Sequence, residues 1–269
     1  MDLEALGLPI IVASAVAIVL LERLVPYNRG QKLLRPGFWV DLVGYGIVQS
    51  YLLGLLIAAL IEFIDGRTGW SRLQLVSDWP LWVQCLFFFV VHDFYIYNFH
   101  RLQHRNKYLW RTHEAHHSGR DVDWLSGTRS HALEILINQT VEFAPIVLLG
   151  AAPEVAVFKG VIDAVWGMYI HSNIGVRMGV LQYVLNGPEM HRWHHATSLT
   201  EPGANFATKL AIWDWLFGTA YFPEHRADDY GLWNHAPFPE GFVAQQLYAF
   251  RAFEEEPLVL RVLEVHDVD

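Results

Sequence analysis

The fold this sequence predicts is an all-α integral membrane bundle, with four to five spanning or re-entrant helices and a histidine-rich helical cap on the cytoplasmic side. Three observations carry that expectation. Hydrophobic residues make up 53% of the chain and charged residues only 17%, where a soluble domain carries about a quarter charged residues. Residues 42–61 form a run of 20 without a charge, the length that a bilayer core demands. The histidines recur at three- and four-residue spacings, which bring side chains to one face of a helix. At 269 residues, with no internal repeat or low-complexity run, the chain reads as one domain, 1–269: N-terminal transmembrane helices over 1–79, a core over 80–220 and an acidic C-terminal tail over 221–269. A net charge of −9 argues against nucleic acid as a partner.

In chain order, residues 5–21 are uncharged and mostly apolar and predict a first span, with Arg23 snorkelling at its end. The first residues, Met1-Asp2-Leu3-Glu4, lack the basic start of a signal peptide, so cleavage is not expected. A basic loop (Arg29, Lys32, Arg35) precedes the run at 42–61. A third span, 79–99, is apolar except for His92 and Asp93 and delivers the chain into His100. The segment beyond it is basic again (Arg101, Arg105, Lys107, Arg111, Arg120), so the positive-inside rule puts the first loop and the histidine cluster in the cytoplasm and the N-terminus outside. Residues 134–150 and 153–169 are apolar but interrupted by Glu142, Lys159 and Asp163, and predict a spanning hairpin or a re-entrant pair. His171 sits at their return. Trp213, Trp215 and Phe217 are expected as interfacial anchors or core packing. Cys85, the single cysteine, lies in an apolar run and reads as packing; it excludes an intrachain disulfide and a thiolate cluster.

The chemistry lies in the histidines. Residues 92–117 hold six of the fourteen, and three boxes stand out: His100 and His104; His113, His116 and His117; His191, His194 and His195. A lone histidine is ordinarily a surface or hydrogen-bonded core residue. Eight in repeated boxes exceed what one metal ion can use, whereas two adjacent metals taking about four or five nitrogens each can use them all. Without sulfur ligands, iron, zinc, copper and nickel all remain open.

The run of these boxes, H-R-L-Q-H at 100–104, H-E-A-H-H at 113–117, R-S-H-A-L-E at 129–134 and H-R-W-H-H at 191–195, followed by N-F-A at 205–207 and W-D-W-L-F-G-T at 213–219, resembles the fatty acid hydroxylase or sterol desaturase superfamily. The likeness covers about residues 80–220. It implies a membrane-bound, non-haem di-iron oxidoreductase: two Fe ions, O2 as co-substrate, and two electrons used to hydroxylate or desaturate a lipid C–H bond. Fatty acyl chains, sterols, ether lipids and carotenoids all fit such a substrate, and lipid biosynthesis is the implied setting. The resemblance makes the eight box histidines metal ligands and His171 a ninth. His131 falls in a motif similar to the family's H-P-x-E, with Ala132 in place of the proline, and is a possible ligand or neighbour of one. Asp93, Glu134, Asn205 and Asp214 are candidates to hydrogen-bond the far nitrogen of ligand imidazoles. The chain carries no flavin or nicotinamide fingerprint, so electrons are expected from a separate donor such as a ferredoxin or a small cytochrome with its reductase. His92 has no counterpart in the motif and reads as structural. His225, His235 and His266 are expected to be solvent-exposed.

Two rivals come from other classes. The stretch His113-Glu114-Ala115-His116-His117 is an H-E-x-x-H match, the pattern of a zinc metallopeptidase with Glu114 as general base. That reading uses one metal and leaves most box histidines unexplained. A non-catalytic haem- or metal-binding membrane protein needs ligands facing one another at membrane depth, whereas these boxes fall beyond the predicted helix ends.

Overall fold

The computed structural model of the chain describes residues 3–199 and 203–253. Within them lie nine α-helices and no strand, as the hydrophobic patterning predicts; two isolated β-bridges, Pro26 to Ile174 and Ala196 to Tyr230, tie loops together. Helix α1 (Leu3–Leu24) covers the first predicted span. The second span is continuous over Val40–Thr68, but its first ten residues, Val40–Gln49, wind as a π-helix before α2 (Ser50–Thr68) continues in ordinary α geometry. Gly44 and Gly46 weaken regular helix there. Ser50 Oγ donates back to Tyr45 O, a side-chain bond that competes for the carbonyls of the wide turn. Among the described residues, Ala5–Leu24 and Val40–Thr68 are long and apolar enough to cross a membrane.

Helix α3 (Leu81–Arg105) starts on Pro80 and runs past the predicted end of the third span, so His100 and His104 ride on the same rod. Asn106 stops it and caps α4 (Lys107–His117), its side chain accepting from the Tyr108 and Leu109 amides. Helix α5 (Ala132–Leu148) and α6 (Pro153–His171) form the hairpin expected at 134–169, broken at Gly150 (φ 73°). The charges that interrupt its hydropathy face inward. Lys159 is fully buried, 3.2 Å from Glu142 and 3.1 Å from Asp163, while Lys209 reaches Asp163 at 3.0 Å and His92 lies 3.7 Å from both carboxylates. Buried ion pairs of this kind cross-link α3, α5 and α6 rather than contradicting their depth. Cys85 packs beside the apolar cluster of Val76, Phe88, Ile146 and Val155, as expected.

The bundle has two distinct ends. At one, Val76 N donates to Leu149 O and Gln84 binds the Ala152 amide. At the other, Glu22 at the close of α1 accepts from the Trp124 and Asn173 amides, and Arg35 makes a two-pronged bond with Asp123 at 2.8 Å while pairing with Asp41 at 2.7 Å. Arg35 is thus buried in an ion network, not a free loop charge. All three boxes lie at this second end, with α7 (Pro188–His194) carrying the third.

The segment from 221 to 253 is not a free tail. Helix α8 (Ile212–Leu216) precedes it, and α9 (Phe242–Tyr248) folds back onto the π-helical turn, where Tyr45 OH donates to Gln245 and the Tyr45 and Phe242 rings meet edge to face. A Cβ at Gly44 would stand 2.8 Å from the Phe242 ring, so the close approach requires glycine. Glu254, Glu255, Glu256, Glu264, Asp267 and Asp269, which make the tail acidic, lie outside the described residues, as does His266.

Candidate metal centre

Nine histidines converge at the box end in two buried groups. His100, His104, His113, His117 and His194 form one; His116, His171, His191 and His195 form the other, and within each group the facing nitrogens lie within 4.8 Å of one another. Helix spacing divides them. On α4, His113 and His117 are four apart and join the first group, while His116 turns to the second; on α7, His194 and His191 part in the same way. His171, at the last residue of α6, enters the second group as the ninth imidazole. The rings of His117 and His195, 4.7 Å apart, bring the groups into contact.

The outer nitrogens decide what the inner ones can do. His100 Nδ1–H donates to Phe206 O at 2.8 Å, His116 to Arg129 O at 3.1 Å, His171 to Gly167 O at 2.7 Å, and His194 to Ala204 O at 2.8 Å. His113 Nδ1 lies 3.1 Å from Glu134 Oε1. Carbonyls and carboxylates only accept, so Nδ1 carries the proton and Nε2 presents a bare lone pair. Yet His100 and His113 face each other Nε2 to Nε2 at 3.0 Å, and His116 and His171 do so at 3.2 Å. Two lone pairs at that range repel unless a cation lies between them. Two imidazole nitrogens bound at right angles to one first-row metal, each at about 2.0–2.1 Å, stand about 3 Å apart. His117, with both ring nitrogens buried, and the buried Nε2 of His194 have no hydrogen-bond partner among the described residues. The donor set, its spacing and its unsatisfied inner nitrogens fit a pair of metal ions.

Electrostatics keep the set ready to ligate. Burial, then repulsion from neighbouring imidazoles, holds His113, His116, His117, His191, His194 and His195 well below the ordinary histidine value near 6.5, so these rings are neutral at pH 7. Arg192, within the third box, is fully buried and anchors α7: it donates to Val122 O, Ser172 O and Asn173 Oδ1 and lies against the rings of Tyr27 and Tyr230.

The remaining candidates separate. Glu134 touches a box imidazole directly, through His113. Asp214 accepts from the Phe206 and Ala207 amides and from Thr219 Oγ1, so it reaches His100 only through the Phe206 backbone. Asn205 binds Met190 O, Tyr221 O and the Tyr221 amide. Asp93 accepts from Thr208, Lys209, Leu210 and Trp213, and so holds the 208–213 segment on α3. His131 stands apart from both groups: its Nδ1 accepts from the Leu133 amide to cap α5, and its Nε2–H donates to Gln246 O. His92 is part of the Lys159 and Glu142 network, and His225 and His235 are exposed, the latter 3.2 Å from Asp229. Trp213 and Trp215 pack and donate, to Asp93 and to Gln182 O.

Residue types alone do not point to the carbonyls of Arg129, Gly167, Ala204 and Phe206, because any residue offers one. Only the motifs at 129–134 and 205–207, which contain Arg129 and Phe206 and adjoin Ala204, mark three of them. Glu114 bears on the rival chemistry. Arg251 grips its carboxylate at 2.7 and 2.9 Å, which occupies the group that a metallopeptidase needs as a free base facing metal-bound water.

Comparison with known proteins adds three findings. The family described as fatty acid hydroxylase matches residues 85–219. Ornithine lipid hydroxylase OlsE of Rhizobium tropici is 31% identical over 261 residues, 93% of this chain and 77% of its own length. Human alkylglycerol monooxygenase is 31% identical over 140 residues, 52% of this chain, and the match spans only 31% of that longer protein; a very-long-chain aldehyde decarbonylase of Oryza sativa is 29% identical over 183 residues, 67% of this chain and 66% of its own length. No solved structure matches.

Proposed function

The chain belongs to the fatty acid hydroxylase family, and on that premise we propose that it is a multi-pass membrane oxidoreductase that hydroxylates a lipid C–H bond with O2 at a di-iron centre. The observation that carries the reading is the division of nine buried imidazoles into groups of five and four with lone pairs facing inward. In this assignment His100, His104, His113, His117 and His194 hold one iron, and His116, His171, His191 and His195 hold the other. When bound, the irons supply the redox chemistry that converts C–H to C–OH, the second oxygen atom leaving as water with two electrons and two protons from outside.

The protein's own residues do the rest. The Nδ1–H bonds to Phe206 O, Arg129 O, Gly167 O and Ala204 O fix ring orientation and tautomer, and the Glu134 carboxylate raises the basicity of His113. Burial of the box histidines limits the access of bulk water to the place where the irons would be held. Electrons enter from a separate protein, a ferredoxin or a small cytochrome with its reductase, approaching from the cytoplasmic side where the basic loops lie. Among lipids the ornithine-lipid class is the first to test, because the hydroxylase named for it aligns with nearly the whole chain, whereas the alkylglycerol monooxygenases align with about a third of their own length.

The test has two parts. Protein purified in detergent after iron-replete expression is expected to hold two irons per chain by elemental analysis. Mass spectrometry of lipids from cells with and without the protein, grown under 18O2, is expected to show a lipid gaining one labelled oxygen. A single zinc per chain with no oxygen-labelled lipid would defeat the reading.

A further inference from the structure

We propose that the short segment 203–207 is a tautomer-setting clamp for the five-histidine group alone, and that Asn205 and Asp214 are the positioning residues that hold it. The assignment rests on the two-metal reading above. Two carbonyls on either side of Asn205 each take an Nδ1–H from this group: Ala204 O from His194 and Phe206 O from His100, both at 2.8 Å. The four-histidine group draws its carbonyls from elsewhere, Arg129 O for His116 and Gly167 O for His171.

The backbone between the two carbonyls is pinned at both of its amides and through the Asn205 side chain. Asn205 sits at φ 56°, a left-handed conformation that Asn tolerates better than most residues. Its amide donates to Thr219 O, its side-chain NH2 to Met190 O and Tyr221 O, and its side-chain oxygen accepts the Tyr221 amide. Met190 belongs to α7, so the clamp is tied to the helix that carries His194. Asp214 takes the amides of Phe206 and Ala207 at 2.9 Å each, and its third bond, from Thr219 Oγ1, is itself buttressed by Tyr97 OH on the helix of His100. Gly203 closes the segment: a Cβ there would stand 2.8 Å from the Phe206 ring and 3.1 Å from His104 Nδ1.

The consequence is chemical. With Ala204 O and Phe206 O in place, His194 and His100 hold their protons on Nδ1 and turn bare Nε2 atoms inward. Without them either ring can take the other tautomer, which puts an N–H where a ligand lone pair is needed. Loosening the clamp therefore weakens one metal and spares the other.

Asn205→Gly keeps the positive φ while removing all the side-chain bonds, and Asp214→Asn sets an NH2 against a backbone amide. Thr219→Val removes one bond to Asp214 and covers the case in which Asp214→Asn does not fold. Full-length wild type and variants in nanodiscs are dialysed against a chelator series, with iron per chain read by elemental analysis and fold by circular dichroism. The expected result is biphasic: about one iron per chain resists as in wild type, and the other leaves at about 10- to 100-fold lower chelator strength. Folded variants that release both irons together, or that keep both as tightly as wild type, overturn the clamp. A wild-type chain that never holds two irons overturns the two-metal reading instead, before any variant is examined.

Discussion

Replacing His194 by Ala removes an imidazole whose Nδ1 is committed to Ala204 O and whose Nε2 faces four other rings. The loss is that of a bond to metal, so activity is expected to vanish and metal content to fall further than in any variant that loses only a hydrogen-bond partner. His235→Ala, at an exposed residue that pairs with Asp229, is expected to change neither. Full activity in His194→Ala would take the third box out of the site. Acid acts on the same residues with a definite sign. The folded chain depresses the box values, so as pH falls below about 6.5 the unfolded chain takes up protons that the folded chain refuses, and stability drops. Metal-free protein should thus melt highest above pH 6.5 and progressively lower beneath it, each depressed histidine contributing about 1.4 kcal/mol per pH unit at most; a flat profile from pH 7 to 5 would contradict the burial. At this scale the site was legible because imidazole is rare and its spacing is helical. The supporting contacts were not, since His100, His116, His171 and His194 all bond backbone carbonyls through their outer nitrogens.

At the scale of elements, α9 is what hydropathy could not place. It is short, and nothing in residues 242–248 announces that Gln246 O will receive His131 Nε2–H or that Arg251, just beyond, will seize Glu114. The π-helical turn that receives α9 was equally hidden, because 42–61 satisfies the hydrophobic pattern of an ordinary span whichever way its carbonyls are bonded. Gly44 supplies the test. Alanine there puts a methyl 2.8 Å from the Phe242 ring and 3.1 Å from its Cβ, contacts that the backbone side of Phe242 cannot swing away from. Gly44→Ala is expected to cost about 1–3 kcal/mol, the usual range for overpacking, and to undock α9. Hydrogen exchange read by mass spectrometry should show residues 242–251 losing protection while 188–195 keep theirs. Unchanged protection over 242–251 would mean that α9 is held by something other than its seat on the π-helix.

For the whole molecule, the sequence predicts an all-helical bundle with its boxes at one end, and both features stand; the number of spans is where a linear hydropathy window runs out. Glu142, Lys159 and Asp163 lower the score of α5 and α6, yet the two carboxylates pair with two ammonium groups, Lys159 and Lys209, with His92 of α3 beside them, a compensation that no single-helix window registers. Topology follows instead from which loops meet. Arg35 from the first loop grips Asp123 from the loop after α4, and Glu22 at the end of α1 caps Trp124 and Asn173, so residues 25–39 and 118–131 share one face. The loop after Val40–Thr68 lies at the other end of the bundle, where Val76 N donates to Leu149 O, and on the proposed multi-pass topology it opens on the opposite face. With Cys85 replaced by Ala, single cysteines at exposed Lys32 and Arg120 should react with an impermeant maleimide from the same side and one at Gly66 only from the opposite side. On the proposed topology, the positive-inside rule predicts that the first side is cytoplasmic. Labelling of Lys32→Cys and Arg120→Cys from opposite faces would break the span count. Labelling of all three from one face would instead mean that Val40–Thr68 bends back without crossing.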